Sequence, residues 1–322
     1  MDGDSLNEIV EGVKIGRSRE LGRAVSLVER DAPESDRLLA EIHPRTGRAR
    51  ILGITGSPGA GKSTLVNSLA RFYRKQEKKV AIIAVDPTSP FTGGAILGDR
   101  IRMQELYTDR GVFIRSMATR GFLGGVARAT NDVVDLLDAA GFDIIIVETV
   151  GVGQDEVEVI RTVQTNVVVL VPGMGDDIQA IKAGIMEIGD VFVVNKADRP
   201  DADRTVTEIM MMMSLVEEHG DWVSPIVKAV ASKGEGIVEL DEALEKHREY
   251  LITSGELDRR NLERVRIRIE TQLKERFIDR LIQGTIGPDG WQSMLERVHR
   301  KEQSPREAAG DLLARIDFDR DR

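Results

Sequence analysis

Apolar residues fall in short unbroken runs through the middle of the chain. Val80-Ala-Ile-Ile-Ala-Val85 is the clearest of them. Residues 50–55, 111–114, 144–147, 167–171 and 191–194 repeat the texture, with Ile226-Val227 as a shorter case. Continuous runs, unlike alternating ones, mark strands buried on both faces, and helical segments separate most of them. One such segment, residues 63–75, turns Leu65, Val66 and Leu69 to one side. The pattern predicts an α/β fold of three layers around a mostly parallel sheet, spanning residues 48–249.

The flanks read differently. Residues 1–47 form an N-terminal helical extension, with intermittent apolar faces at Leu21, Ala24, Val25, Val28, Leu38 and Leu39. Ser35 or Asp36 is the expected cap of its last helix. The extension is either a cover over the main domain or a docking surface. In residues 250–322, Leu257, Leu262, Val265, Ile269, Leu273 and Phe277 recur mostly three and four apart among many charges, which predicts a long amphipathic helix. A turn over 284–290 should lead to a helix from Trp291 and another near Ser304. An arm of this kind packs back on the core or pairs with a second subunit, and dimerisation is the favoured reading.

Chemistry concentrates where the runs end. Gly56, Ser57, Pro58, Gly59, Ala60, Gly61, Lys62 and Ser63, followed by Thr64, match the phosphate-cradling pattern G-x-x-x-x-G-K-[ST] at each fixed position. The glycines let backbone N–H groups approach phosphate oxygens, and the following helix adds its positive N-terminal end. Lys62 should reach the β and γ phosphates and Ser63 should give its hydroxyl to Mg2+. Asp86 closes one strand and Glu148 another, at the edge where an open sheet binds ligands; Asp99 lies in Gly98-Asp-Arg-Ile-Arg-Met103. These three acids are the expected metal carboxylates, with helix capping or arginine pairing as the plain alternative. Glu148-Thr-Val-Gly151 resembles a switch in which the Gly151 N–H senses the γ-phosphate. Asn195-Lys-Ala-Asp198 ends a further strand. There Asp198 can accept from the N1–H and 2-amino group of guanine, Lys196 can lay its stem on the base, and Asn195 can tie the loops together. The last base loop is expected at 230–236, with the Ala231 N–H near the guanine oxygen.

Composition narrows the field. Asp and Glu number 54 against 45 Lys and Arg, a net charge of -9, so there is no general attraction to nucleic acid. The absence of Cys removes disulfides, thiolate catalysis and Cys-ligated metals. His43, His219, His247 and His299 show no ligand spacing and read as surface or partly buried residues. Neither a secretory signal nor a membrane-length apolar run is evident, so a soluble cytoplasmic protein without a membrane partner is expected.

In this order the motifs resemble one family, the methylmalonyl-CoA mutase-associated GTPases, or MeaB/ArgK family. The resemblance covers nearly the whole chain. It rests on residues 56–64, Val85-Asp-Pro-Thr-Ser-Pro90, the 98–103 segment, Arg115-Ser-Met-Ala-Thr-Arg-Gly121, Glu148-Thr-Val-Gly-Val-Gly-Gln154 and Asn195-Lys-Ala-Asp198. It implies a SIMIBI-like P-loop G domain that binds GTP or GDP with Mg2+. It further implies a chaperone that couples hydrolysis to adenosylcobalamin loading, release of damaged cofactor and protection of an acyl-CoA mutase. The adenosylcobalamin is then expected on the partner mutase, with methylmalonyl-CoA mutase as the default client and an adenosyltransferase as a further candidate partner. Members are homodimers built through C-terminal helices. Carried over, Lys62, Asp99 and Glu148 join Gln179 and Lys182, in a switch loop at 173–182, as the hydrolytic set. From the residues alone Lys182 is equally a surface ion-pair residue, and Arg115 and Arg120 contact the mutase, a phosphate or only neighbouring acids. The rivals are a small-molecule kinase of the P-loop class, a nickel-insertion GTPase, against which the lack of Cys argues, and a structural adaptor with a dead nucleotide site, against which intact Lys62, Ser63, Asp86 and Glu148 argue.

Overall fold

The computed structural model describes residues 3–86, 104–118, 125–149, 163–173, 188–214 and 221–314. It divides into two compact units, Met1–Asn261 and Leu262–Arg322.

The first unit opens with helices α1 (Gly3–Lys14), α2 (Ser18–Glu29) and α3 (Ser35–Ile42). There follow β1 (Arg50–Gly56), α4 (Lys62–Lys75), β2 (Val80–Asp86), a single turn α5 (Gln104–Tyr107), β3 (Val112–Ala118) and α6 (Gly125–Ala139). Then come β4 (Ile144–Thr149), β5 (Thr165–Leu170), β6 (Val191–Asn195), α7 (Ala202–Met213), β7 (Ile226–Ala229) and α8 (Ile237–Thr253). Helix α9 (Glu256–Leu281) crosses into the second unit.

The strands form one sheet in the order β3-β2-β4-β1-β5-β6-β7, and the pairs between them are parallel. β1, β4, β5 and β6 are buried along their full length, which is what their unbroken apolar runs require. On one face lie α4 and α8, through Leu65, Val66, Leu69, Leu240 and Leu244 against Ile54, Ile82 and Val169. Each of the fully buried large side chains contributes about 1.5–3 kcal/mol of hydrophobic stabilisation. On the other face Val133, Val134 and Leu137 of α6 meet Ala81, Ile83, Ile145 and Val147.

The N-terminal helices share that second core. Ile9, Val13, Leu21, Val25 and Leu38 are continuous with the α6 layer. Polar clamps add to it: Arg115 of β3 forks onto Glu29 of α2, and Arg128 of α6 meets Asp31 at 2.9 Å. The Asp138 carboxylate accepts from the N–H groups of Gly47, Arg48 and Ala49 at 2.5, 3.1 and 2.9 Å, fixing where the chain enters β1.

Three expectations need correction. The N-cap of α3 is Glu34, without a side-chain cap. Ser35 shares the buried stripe with Leu38 and Ile42, so its hydroxyl faces the core and cannot reach a terminal N–H. β3 runs to Ala118, well beyond residue 114, because as an edge strand it tolerates Arg115 and Ser116. The turn expected over 284–290 is largely helical: a π turn (Ile282–Ile286) leads into α10 (Gly287–His299), with Pro288 in its first turn.

The second unit has its own small core. Met294 of α10 and Ala308 and Leu312 of α11 (Pro305–Leu313) pack with Leu281, Ile286, Trp291 and Val298. Ser304 caps α11 through a full capping box with Glu307. The long helix predicted here is present as α9, with Leu262, Val265, Ile269, Leu273 and Phe277 exposed, but over its full length apolar and charged residues are scarcely separated onto opposite sides, so the expected amphipathic character is not borne out. Among the described residues no helix is long and apolar enough to cross a membrane.

Candidate nucleotide site

The loop between β1 and α4 is shaped by its neighbours. Gly56 sits at φ 144°, and a Cβ there would lie 2.1 Å from the Val169 carbonyl oxygen on β5. Gly61 sits at φ 86°, with a Cβ position 2.5 Å from Nδ2 of Asn195. No other residue type fits either place without moving a strand or the asparagine.

Lys62, in the first turn of α4, is buried at 6 % exposure. Its ammonium donates to the carbonyls of Gly56 (2.7 Å) and Ser57 (3.0 Å), so the charge is folded into the loop it serves. Ser63 donates its hydroxyl proton to Oε1 of Glu148 at 2.7 Å. The hydroxyl proton thus points to the carboxylate, the orientation in which a serine oxygen can turn a lone pair to a hard cation. Thr149, beside Glu148, donates to Thr55 Oγ1 at 3.1 Å and ties the end of β4 to the end of β1.

The base side is joined to the phosphate side by one residue. Asn195 donates through Nδ2 to the Ala60 carbonyl at 2.8 Å and accepts through Oδ1 from the Ala231 N–H at 3.1 Å. Lys196 takes a left-handed backbone, φ 56°, which costs about 1–2 kcal/mol, and its ammonium reaches the Gly59 carbonyl at 2.8 Å. Asp198 is 45 % exposed and pairs with Lys233 at 3.2 Å. From α4, Ser68 donates to the Ala231 carbonyl at 2.7 Å.

The expected residues therefore divide into three groups. Gly56, Ser57, Ala60, Gly61, Lys62, Ser63, Glu148, Asn195, Lys196 and Ala231 come together, with Pro58, Gly59 and Thr64 in the same loop and helix start. Asp86 ends β2, while its side chain lies outside the described residues, as do Asp99, Arg120, Gly151, Gln179 and Lys182. Among the described residues no group of three or more His, Asp or Glu forms a metal cluster. Asp198 and Arg115 are engaged instead by charged neighbours, Lys233 and Glu29.

Two features depart from expectation. The Ala231 N–H is already donated to Asn195, so it is not a spare donor for a base. His247 is fully buried, with Thr165 Oγ1 2.9 Å from Nδ1 and Asp190 3.3 Å from Nε2. Ser68, Thr55, Thr149 and Lys233 bond to the expected site residues or their strands, and motif reading passed over them. Lys233 stood within the 230–236 loop and could have been found as a cation for Asp198; the other three carry no signal in the sequence.

The family model for "Methylmalonyl Co-A mutase-associated GTPase MeaB" matches residues 21–285. The chain belongs to this family. A Pyrococcus abyssi relative, provisionally named a GTPase, is 47 % identical over 97 % of both chains. Escherichia coli GTPase ArgK is 35 % identical over 94 % of both. A solved structure described as an LAO/AO transport system kinase superposes with a TM-score of 0.72 at 28 % identity, covering 98 % of each chain. The fold is thus the P-loop G domain with helical extensions at both ends, carried over the whole length. As a MeaB/ArgK protein the chain is a Mg-dependent GTPase and a GTP-binding chaperone linked to methylmalonyl-CoA mutase and cobalamin handling.

Proposed function

We propose that this MeaB/ArgK protein is a homodimeric switch whose GTP cycle gates adenosylcobalamin loading and release on an acyl-CoA mutase. The cobalamin stays on the mutase. The observation that carries the reading is the hydrogen-bonded bridge from Ala231 through Asn195 to Ala60, which makes base reading and phosphate binding one event.

Asp198 reads the guanine N1–H and 2-amino group, exchanging its present ion pair with Lys233 for those donors. With the Ala231 N–H committed, the reading of the guanine oxygen moves to Ser232. Within the 3-10 turn at 231–233, Lys233 donates to Val230 and Gly234 to Ala231, whereas Ser232 is exposed. Lys62 leaves the carbonyls of Gly56 and Ser57 for β and γ phosphate oxygens, a stronger charge-assisted bond.

The donor set fits Mg2+: it is oxygen only, and Glu148 already orients the Ser63 hydroxyl. Ser63 would hold the ion directly, with Asp86, Asp99 and Glu148 around it. When bound, Mg2+ neutralises charge between the β and γ phosphates. Lys62 and the loop amides hold the developing phosphoryl charge, Gly151 senses the γ-phosphate, and Gln179 and Lys182 complete the set when the mutase binds. Slow turnover alone and faster turnover with the mutase follow, since phosphoryl transfer depends on positioning and charge stabilisation. Residues 1–47, 48–249 and 250–322 serve as outer helical layer, motor and dimerising arm, and α9 offers a second copy the exposed side chains Leu262, Val265, Ile269, Leu273 and Phe277.

The test measures hydrolysis of GTP and ATP with and without a purified adenosylcobalamin-dependent mutase. Preference for GTP and acceleration by the mutase are expected. Equal use of ATP sinks the base assignment, and a rate indifferent to the mutase sinks the gating. A second reading comes from the relative described as a kinase. Phosphate appearing on a small acceptor instead of in solution would favour it.

A further inference from the structure

Strand β6 carries a buried polar hub at each end. At the finishing end, Asn195 holds the phosphate loop and the base loop as described. At the starting end stands Asp190, the residue before the strand, at 6 % exposure. Its Oδ2 accepts from the Asn166 N–H at 2.8 Å. The Arg260 guanidinium forks onto both carboxylate oxygens at 2.9 and 3.0 Å, and His247 lies 3.3 Å away. The Asp190 N–H donates to the Asn166 carbonyl at 3.0 Å, and its own carbonyl accepts from the Trp222 indole at 2.8 Å. Arg260 also donates to the Gln164 carbonyl at 3.0 Å and to Glu256 at 3.1 Å.

Between the hubs, Val191, Phe192, Val193 and Val194 are wholly buried; all four pair with β5, and Phe192 to Val194 pair with β7 as well. The strand is about 16 Å of extended chain. Close-packed and laddered on both edges, it has no slack along its axis. Arg260 sits in the second turn of α9, next to the point where that helix leaves the first unit. A planar fork fixes direction and helical phase in a way that a lysine point charge does not.

We propose that β6 is a rigid link between the nucleotide site and the root of α9, with Asn195 and Asp190 as its two joints and Arg260 as the output. The link rests on the GTP-switch reading above and extends it: the nucleotide state felt at Asn195 biases the fork at Asp190. Arg260 is a positioning residue. It touches no nucleotide.

The experiment compares the full chain loaded with GDP and with a non-hydrolysable GTP analogue. Amide hydrogen exchange is read over residues 256–261, in the wild type and in Arg260→Lys, with affinity for both nucleotides measured alongside. In the wild type, protection over 256–261 should differ by about fivefold or more between the two nucleotides. In Arg260→Lys that difference should vanish while affinity for both nucleotides is retained. A purely structural fork would shift protection equally in both states. A chain that binds no GTP overturns the switch reading. A chain that binds GTP without a nucleotide-dependent difference, or a variant that keeps the difference, overturns the link alone. A second readout leaves the fork intact. Of the two tryptophans, Trp222 bonds the Asp190 carbonyl, so Trp291→Phe makes it the sole indole reporter. Its emission should change on exchange of GDP for the analogue, and an unchanged spectrum counts against the link.

Discussion

The two ends of the sheet are built on opposite principles. Where β1, β4 and β6 finish, polar groups sit on or beside loops, and their bonds are exchangeable. Lys62 rests on carbonyls of its own loop, and Asp198 is half exposed on Lys233. Where β5 and β6 begin, Asp190 and His247 are buried and the partly exposed Arg260 closes onto Asp190 from outside. A site that must take up a ligand keeps bonds that a better partner displaces; a site that must hold shape leaves nothing to displace. Polar residues thus contribute binding at one end and stability at the other.

The sharpest way to break the comparison is Lys62→Ala. The wild-type bonds are internal placeholders, so the variant should lose about 10²–10³-fold in GTP turnover while its melting temperature hardly moves. Steady-state hydrolysis and thermal unfolding on one preparation check both halves, and a large fall in melting temperature would contradict the placeholder view.

Asp190→Asn should do the reverse. Leaving Arg260 facing a neutral amide costs about 3 kcal/mol of stability by urea unfolding. The pH profile sharpens the result. Burial disfavours the Asp190 carboxylate, but the adjacent His247 and the Arg260 fork outweigh it and hold the carboxyl below its ordinary value. Its stabilisation is therefore complete above the unfolded carboxylate range and is lost as pH falls through the folded value. The variant should show a flatter acid limb. The remaining slope should include Glu256, held at about 2 chiefly by the Arg259 hydrogen bond, with Arg260 adding to it against partial burial. That contribution fades as pH falls from the ordinary value of 4.5 toward about 2.

A smaller effect is expected from Asp198→Asn. The fold should be untouched, GTP binding should weaken about tenfold to a hundredfold, and xanthine nucleotides should bind in compensation. Calorimetry with GTP, ATP and XTP decides it; undiminished GTP preference would remove Asp198 from base reading. Least of all, Ser304→Ala should cost about 1 kcal/mol, confined to the second unit, through loss of the N-cap of α11. Hydrogen exchange over 305–313 would reveal it, and unchanged protection there would show that the cap adds nothing.

The same division governed what could be read from the chain. β1, β2, β4, β5 and β6 were legible because strands buried on both faces must be apolar throughout. The phosphate loop was legible because its geometry needs particular glycines in a fixed local spacing. β3 was underestimated, since an edge strand admits Arg115 and Ser116. Ser35 was misassigned, since helix register, not residue preference, put its hydroxyl in the core. His247 looked like any scattered histidine, because its partners Thr165 and Asp190 stand 82 and 57 residues away.

Local spacing by itself determined the phosphate loop, the parallel sheet and the long helix α9, because each depends on neighbours within a turn or a strand. Only the tertiary structure decided that Asn195 spends its amide on both loops at once, 135 residues from Ala60 and 36 from Ala231. It also decided that Arg260 closes onto Asp190 across 70 residues. The physical reason is common to both. A hydrogen-bonding group carries no mark of its partner in the sequence, and strand order is what brings the two within 3 Å.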